Sequence, residues 1–188
     1  QTFMEILDKM NCPRQWHENR SDWYIEFKNG SEIWLGGFDE KERTEKLLGH
    51  EYNILYFNEI SQISYDAIEL GLTRLARRTG KFVNKAFFDC NPPSPLHWSH
   101  RLFIEGINPR DIKVPIENRK DYFSMLMNPI DNKENLSDDY MIRLGTLSER
   151  AKRRMLYGEW VKPDGAVYEE FTERNIIPKS SVPSIERY

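Results

Sequence analysis

The sequence predicts an α/β fold with a mainly parallel sheet and an additional β-hairpin. Two short apolar runs, at residues 53–57 and 85–88, have the composition of buried strands, and a helical pattern at residues 65–78 separates them. Strands that flank a crossover helix pair in parallel within one sheet. The hairpin is predicted by the Asn-Gly pair at residues 29–30, which lies between two β-rich runs and suits a tight turn.

The N-terminal half contains the hairpin and the first strand. The two hairpin strands are predicted at residues 23–27 and 32–35. The charged run at residues 40–46 is predicted to be a loop or a short exposed helix. Ser64 is a favourable N-cap for the helix at residues 65–78, and the basic end of that helix suits its dipole.

The C-terminal half alternates short helices and strands. A helix is predicted at residues 96–105, after a proline-rich turn, and strands are predicted at residues 112–116 and 122–127. Two amphipathic helices follow at residues 137–145 and 148–157, and each opens with a serine that can cap it.

Polar side chains follow both strands of the predicted parallel pair. Asn58 and Glu59 come directly after the first strand, and Asn91 follows the second. Open α/β sheets bind their ligands at this carboxyl edge. Taken alone, Glu59 has a simpler explanation, because a carboxylate is also favourable at the positive end of the following helix.

Four sequence motifs follow one another along the chain. They are the strand with its polar tip at residues 53–59, the strand with its Asn-Pro pair at residues 85–93, the segment at residues 95–103, and the paired segments at residues 154–160 and 165–171. In this order and spacing they resemble the large terminase subunit of tailed phages, the ATPase and nuclease that packages DNA into capsids. The resemblance extends from about Ser21 to Phe171, and the order is far more specific than any single motif.

The resemblance implies an ATPase core of the P-loop NTPase type, which hydrolyses ATP with Mg²⁺ to drive DNA translocation into the capsid. Residues 54–59 then resemble the Walker B strand, with Glu59 as the catalytic carboxylate that orients the attacking water. Asn58 stands where many P-loop enzymes have the Mg²⁺-associated Asp, on the metal and nucleotide side. Residues 89–92 resemble the coupling motif, in which Asn91 senses the γ-phosphate. No metal site built from protein ligands alone is expected.

The chain departs from the family pattern at the phosphate-binding loop. It contains no G-x-x-x-x-G-K-[ST] (Walker A) motif, and it ends before the aspartate-bearing strand of a nuclease domain. We therefore expect an incomplete ATPase core at residues 1–161 and, at residues 162–188, a linker toward a missing nuclease domain. The isolated chain is expected to be inactive, because the groups that hold the phosphates are absent.

A second departure concerns the basic finger. Many terminases have an Arg-Gly pair before Walker B, proposed to act on a neighbouring subunit, whereas this chain has Leu48-Gly49. Lys46 and Arg43 are the nearest basic candidates. Arg74 is a third, although an ion pair with Glu69 or Asp66 would also explain it.

Composition sets broad limits on function. The chain has 188 residues, 39% of them hydrophobic, which suffices for one sizeable core. Its formal charge of −3 gives no overall signature of a nucleic-acid-binding protein. Cys12 and Cys90 are far apart, which indicates a reducing compartment and no disulfide scaffold. The sequence lacks a run of about 18 apolar residues, so no membrane association is expected.

The resemblance also implies partners and a location. These are double-stranded DNA, the terminase small subunit, the portal protein and further copies of the chain in a homo-oligomeric ring, in the host cytoplasm.

Two other functions stay open at this point. The first is a binding or assembly module without turnover. The second is a metal-dependent hydrolase that uses Cys90, His97 and His100, because thiolate and imidazole groups are zinc ligands. Packing of Trp98 and the two histidines at a helix–sheet contact would explain the same residues structurally.

Overall fold

The computed structural model describes residues 2–9, 16–38, 41–78, 80 and 83–162, with only the backbone of residues 2–4 and 41–43. The chain divides into two compact units. The first comprises Gln1–Asn58 and Gln62–Asp89, and the second comprises Glu59–Ser61 and Cys90–Tyr188. Of the linker predicted at residues 162–188, residues 163–188 lie outside the described residues.

The α/β class is confirmed, but the described sheets are mixed. Three of the described strand pairs are antiparallel and one is parallel. The antiparallel pairs are local, because each joins strands separated by a short turn. Among the described residues, no helix has the length and apolar character needed to cross a membrane.

The first unit begins with helix α1 (Thr2–Lys9) and a three-stranded antiparallel sheet. The strands lie in the order β1 (Trp16–Asn19), β2 (Tyr24–Phe27), β3 (Glu32–Trp34). The β2–β3 hairpin confirms the prediction, and Gly30 supplies the left-handed residue of its turn with φ of 79°. The charged run that follows forms the short helix α2 (Lys41–Leu48).

The parallel pair lies in the second part of the first unit. Strand β4 (Ile54–Phe57) pairs in parallel with β5 (Lys85–Phe88), and helix α3 (Tyr65–Leu72) lies between them in sequence. This confirms the predicted β-α-β connection. A single 3-10 turn at Ile60–Gln62 follows β4.

Helix α3 begins as predicted and ends earlier than predicted. The Ser64 hydroxyl oxygen accepts the Ala67 N–H at 3.3 Å, which confirms the N-cap. The helix ends at Leu72 and continues only as turns, in which the Arg74 and Leu75 N–H groups donate to the Gly71 and Leu72 carbonyls. The Arg74 carbonyl accepts the Tyr52 N–H at 2.7 Å, and the Arg77 N–H donates to the Tyr52 carbonyl at 3.2 Å.

The second unit contains a helix followed by a β-hairpin. Helix α4 (Trp98–His100) continues as a wider π-type turn over Arg101–Glu105, which agrees with the helix predicted at residues 96–105. Strands β6 (Ile107–Asn108) and β7 (Asp111–Pro115) pair antiparallel, and β7 confirms the strand predicted at residues 112–116.

The strand predicted at residues 122–127 is wrong. In the described structure this segment belongs to no sheet, although Tyr122 has the extended angles φ −110° and ψ 122°. Its alternating apolar side chains are exposed, with Phe123 at 81%, Met125 at 67% and Met127 at 77%. A strand requires a hydrogen-bonding partner as well as an alternating pattern, and the sequence supplied only the pattern.

The remaining elements of the second unit are short helices. A 3-10 turn occupies Arg119–Asp121, and 3-10 turns on either side of a kink at Asn132 occupy Pro129–Asn135. They are followed by α5 (Asp138–Gly145) and α6 (Glu149–Met155), and Ser137 and Ser148 cap these two helices as predicted.

Candidate functional site

The carboxyl edge of the β4–β5 pair is well defined within the first unit. Phe57 lies opposite Phe88, and beyond this pair the Asp89 N–H donates to the Phe57 carbonyl at 3.1 Å. The Tyr56 hydroxyl donates to the Asp89 carboxylate. The two strand ends are therefore joined by a backbone and a side-chain hydrogen bond, and Asn58 follows directly at this edge.

Burial of Phe57 fixes the register of this edge. Phe57 is 6% exposed, and its ring stacks on Phe88 with centroids 5.1 Å apart. A Cβ atom at Gly71 of α3 would lie only 2.9 Å from the Phe57 ring, so the helix packs closely on it. Burying one such ring contributes about 1.5–3 kcal/mol, and a one-residue slip of β4 would expose it.

An aromatic stack supports the amino end of β4 in the same unit. The Trp34 ring lies between Tyr24, at 4.6 Å, and His50, at 4.1 Å. Tyr52 lies beside His50, with ring centroids 6.4 Å apart. Burial raises the pKa of Tyr52, and the negative charge of Glu32 raises it further. The Tyr52 hydroxyl therefore stays protonated well above neutral pH.

Glu59 has an unusual backbone conformation. It is exposed, and its φ of 53° lies in the left-handed region that L-residues other than asparagine and aspartate rarely adopt. This conformation costs about 1–2 kcal/mol for an L-residue. Helix α3 is capped by Ser64 and has Asp66 in its first turn, so Glu59 is not part of that cap.

The remaining strand-tip residues are divided between the two units. Asn58 is exposed at the end of β4 in the first unit. Glu59 and Asn91 both belong to the second unit, and Asn91 is also exposed. In the second unit, the carbonyl of the next residue, Pro92, accepts a hydrogen bond from Arg154 Nε at 2.8 Å. No sequence signal predicted this contact, because the two residues are 62 positions apart.

A match to a family model shows which protein family the chain belongs to. The model described as "Terminase large subunit, T4likevirus-type, N-terminal" matches residues 9–175. The chain belongs to this terminase family. A comparison with curated proteins gave no match.

Solved structures of a large terminase from a thermophilic bacteriophage have the same fold as this terminase chain. Crystal form 2 of that protein matches with a TM-score of 0.65 at 20% identity, over 99% of this chain and 42% of that one. The same protein in complex with ADP also matches with a TM-score of 0.65 at 20% identity, over 100% of this chain and 42% of that one. Its complex with ATP-γ-S matches with a TM-score of 0.55 at 20% identity, over 92% of this chain and 38% of that one. The terminase chain thus spans about two fifths of these structures.

The candidates for the basic finger of the terminase chain have different surroundings. Lys46 is exposed, and its Nζ lies 3.5 Å from Asp22 Oδ1. Arg74 is half-buried, and its Nη1 donates to the Leu48 carbonyl at 3.3 Å while its Nε donates to Thr73 Oγ1 at 3.0 Å. The Arg74 guanidinium therefore lies beside Leu48 of the Leu48-Gly49 pair. The side chain of the remaining candidate, Arg43, lies outside the described structure.

The histidines proposed for a zinc site have structural roles. His97 Nδ1 lies 2.7 Å from Ser99 Oγ, and His100 Nδ1 lies 3.2 Å from Glu105 Oε1. Trp98 between them is buried, so this segment packs inside the second unit. Within the described part of the chain, no group of three or more His, Cys, Asp and Glu side chains is arranged to hold a metal ion. Cys90 with His97 and His100 therefore does not form the alternative zinc site.

Proposed function

We propose that this chain supplies the hydrolytic edge of a phage DNA-packaging ATPase, built on a core of the P-loop NTPase type. The observation that carries the proposal is the left-handed, exposed Glu59, which the exposed Asn58 separates from Phe57, the buried last residue of strand β4. Strained residues of this kind concentrate at functional sites, where the surrounding structure holds them in place. Membership of the terminase family supports the same assignment.

In this proposal Glu59 orients the water that attacks the γ-phosphate of ATP. A carboxylate can accept a hydrogen bond from that water and take up its proton, which places the nucleophile in line. Asn58 lies on the metal and nucleotide side. Mg²⁺ prefers oxygen ligands and keeps several of its waters, so the Asn58 amide oxygen fits its requirements. When bound, Mg²⁺ would neutralise charge on the phosphates.

Asn91 has the coupling role in the proposed mechanism. Its neutral carboxamide can report the presence of the γ-phosphate through a hydrogen bond. The large terminase of the thermophilic bacteriophage was solved with ADP and with ATP-γ-S, which supports nucleotide binding as the property to test here. The proposed partners are double-stranded DNA, the small subunit, the portal and neighbouring copies, with Lys46, Arg43 or Arg74 as the basic finger.

The experiment compares Glu59→Gln with Glu51→Gln in the complete packaging protein. Glu51 is exposed and precedes β4 in sequence, so its variant removes one negative charge without touching the carboxyl edge. We expect Glu59→Gln to lower kcat by a factor of about 10² or more and to leave ATP binding intact. Glu51→Gln should hydrolyse ATP normally. Equal turnover of the two variants would refute the assignment of Glu59.

One observation favours a second function, a surface for assembly. Phe123, Met125 and Met127 expose alternating apolar side chains on the second unit. Large exposed apolar surfaces often mark protein interfaces. The resemblance to large terminase subunits implies a ring of copies, so we propose a neighbouring copy of the chain as the occupant. If so, replacing the three residues by serine should shift the sedimentation profile toward monomer without lowering ATP affinity, whereas Glu59→Gln should leave the profile unchanged.

A further inference from the structure

Helix α6 is joined to the Asn91–Pro92 segment by one side chain. Arg154, in the last turn of α6, donates its Nε–H to the Pro92 carbonyl at 2.8 Å in a partly buried contact. A cationic donor makes a stronger hydrogen bond than a neutral one, and partial burial limits competition from water. This bond therefore fixes the carbonyl that follows Asn91 directly.

The segment held by Arg154 is stiff. Pro92 and Pro93 have fixed φ angles, and a residue that precedes proline is restricted to extended conformations. Both Asn91 and Pro92 are restricted in this way, so the chain from residue 91 to residue 93 has few conformations. Holding the Pro92 carbonyl thus also limits the direction of the Asn91 carboxamide.

Helix α6 is also joined to the segment that follows it. The Glu159 N–H donates to the Arg153 carbonyl at 2.8 Å, and Arg153 Nε donates to Glu159 Oε2 at 2.6 Å. The Leu156 N–H also donates to the Lys152 carbonyl at 2.8 Å. A displacement of α6 is therefore passed on to residues 158–160.

From these contacts we propose that Arg154 is a positioning residue that couples Asn91 to α6. It holds the Pro92 carbonyl, so a movement of the Asn91 segment on binding or losing the γ-phosphate moves α6 as well. The inference rests on the proposed role of Asn91 as a phosphate sensor. Arg154 itself contacts no nucleotide in this mechanism.

The variants Arg154→Met and Arg154→Gln isolate the hydrogen bond. Both remove the charge and both residues are good helix formers. A Gln side chain carries an N–H at the position of the arginine Nε, whereas Met carries a methyl group there. Lys152→Met is the matched control, because it removes a cation from the same helix, one that pairs with Glu149 at 2.7 Å and not with Pro92.

The first measurement is DNA packaged per ATP hydrolysed, in the complete protein. We expect Arg154→Met to lower this ratio by about ten-fold, with ATP hydrolysis within about three-fold of wild type. Arg154→Gln and Lys152→Met should stay close to wild type. If Arg154→Met and Lys152→Met give the same ratio, or if the Gln variant fails as fully as the Met variant, the inference is refuted.

The second measurement needs no substitution. Hydrogen exchange of the complete wild-type protein is followed with and without the Mg²⁺ complex of a non-hydrolysable ATP analogue. We expect slower exchange at residues 53–60 and a changed rate in α6. If residues 53–60 respond and α6 does not, the Arg154 inference fails alone. If neither responds, the proposed nucleotide site fails.

Discussion

The left-handed backbone at Glu59 predicts an unusual ranking of Gly and Ala. Both substitutions remove the carboxylate and its contacts, so the difference between their free energies of unfolding reports the backbone conformation alone. Relief of the left-handed conformation favours Gly by about 1–2 kcal/mol. The greater entropy of Gly in the unfolded chain opposes this by about 0.5–1 kcal/mol. The free energy of unfolding of Glu59→Gly should therefore exceed that of Glu59→Ala, by up to about 1.5 kcal/mol.

Two further positions calibrate the measurement. Asn118 has φ of 52° and should show the same preference for Gly, while Arg143 lies exposed in helix α5 and should favour Ala. The helical preference for Ala over Gly is about 1 kcal/mol. Urea unfolding of the six variants gives all three differences from one method. The differences at residues 59 and 118 should have the opposite sign from that at residue 143.

The same variants test the functional part of the argument. In the complete protein, Glu59→Gly and Glu59→Ala should both lose ATP hydrolysis, although the Gly variant is the more stable of the two. Asn118→Gly should keep its activity. If Ala proves at least as stable as Gly at residue 59, the backbone there is not held in the left-handed region, and the observation that supports a catalytic Glu59 is lost.

Three further predictions concern packing, pH and coupling. Gly158→Ala should lower the free energy of unfolding by about 1–3 kcal/mol, because Gly158 has φ of 64° and a Cβ there would overlap Leu126. Adding Leu126→Ala should recover part of this loss, as measured by urea unfolding. Burial lowers the pKa of His97, whose Nδ1 accepts the Ser99 N–H, so the neutral form of His97 stabilises the fold. This contribution to stability should disappear as pH falls below the usual histidine pKa, about 6.5. The His97→Gln variant should therefore show a flatter pH dependence of thermal unfolding. Asn91→Ala should leave ATP affinity within about three-fold and lower the DNA packaged per ATP; a parallel loss of affinity would make Asn91 a ligand instead.

The sequence predicted helix starts more reliably than helix ends. A capping serine acts within three residues, so Ser64, Ser137 and Ser148 could be recognised without knowledge of the fold. The end of α3 depends on hydrogen bonds between Tyr52 and the backbone at Arg74 and Arg77, more than 20 residues away. No local pattern reports such bonds, and the prediction extended the helix to residue 78.

Strand prediction failed where pairing decides the outcome. Residues 85–88 and 122–127 both contain alternating or continuous apolar side chains. The first run forms β5 because β4 offers a parallel partner in the correct register. The second has no partner among the described residues, and Phe123, Met125 and Met127 stay exposed. Residue pattern is a property of one segment, whereas pairing is a property of two.

The candidate site combines local chemistry with contacts that only the fold creates. The departure at Asn58 shows the difference. The resemblance implies an Asp at this position, and the structure places Asn58 and Asp89 directly after the paired residues Phe57 and Phe88, at neighbouring strand ends. An Asp at residue 58 would put two carboxylates at this edge, where their repulsion would raise the pKa of one of them. The neutral Asn58 avoids this, while the Tyr56 hydroxyl, which donates to Asp89, stabilises the charge that is present. This consequence of an Asp at residue 58 depends on the neighbouring strand, which is more than 25 residues away in sequence and which no motif at residues 54–59 could reveal.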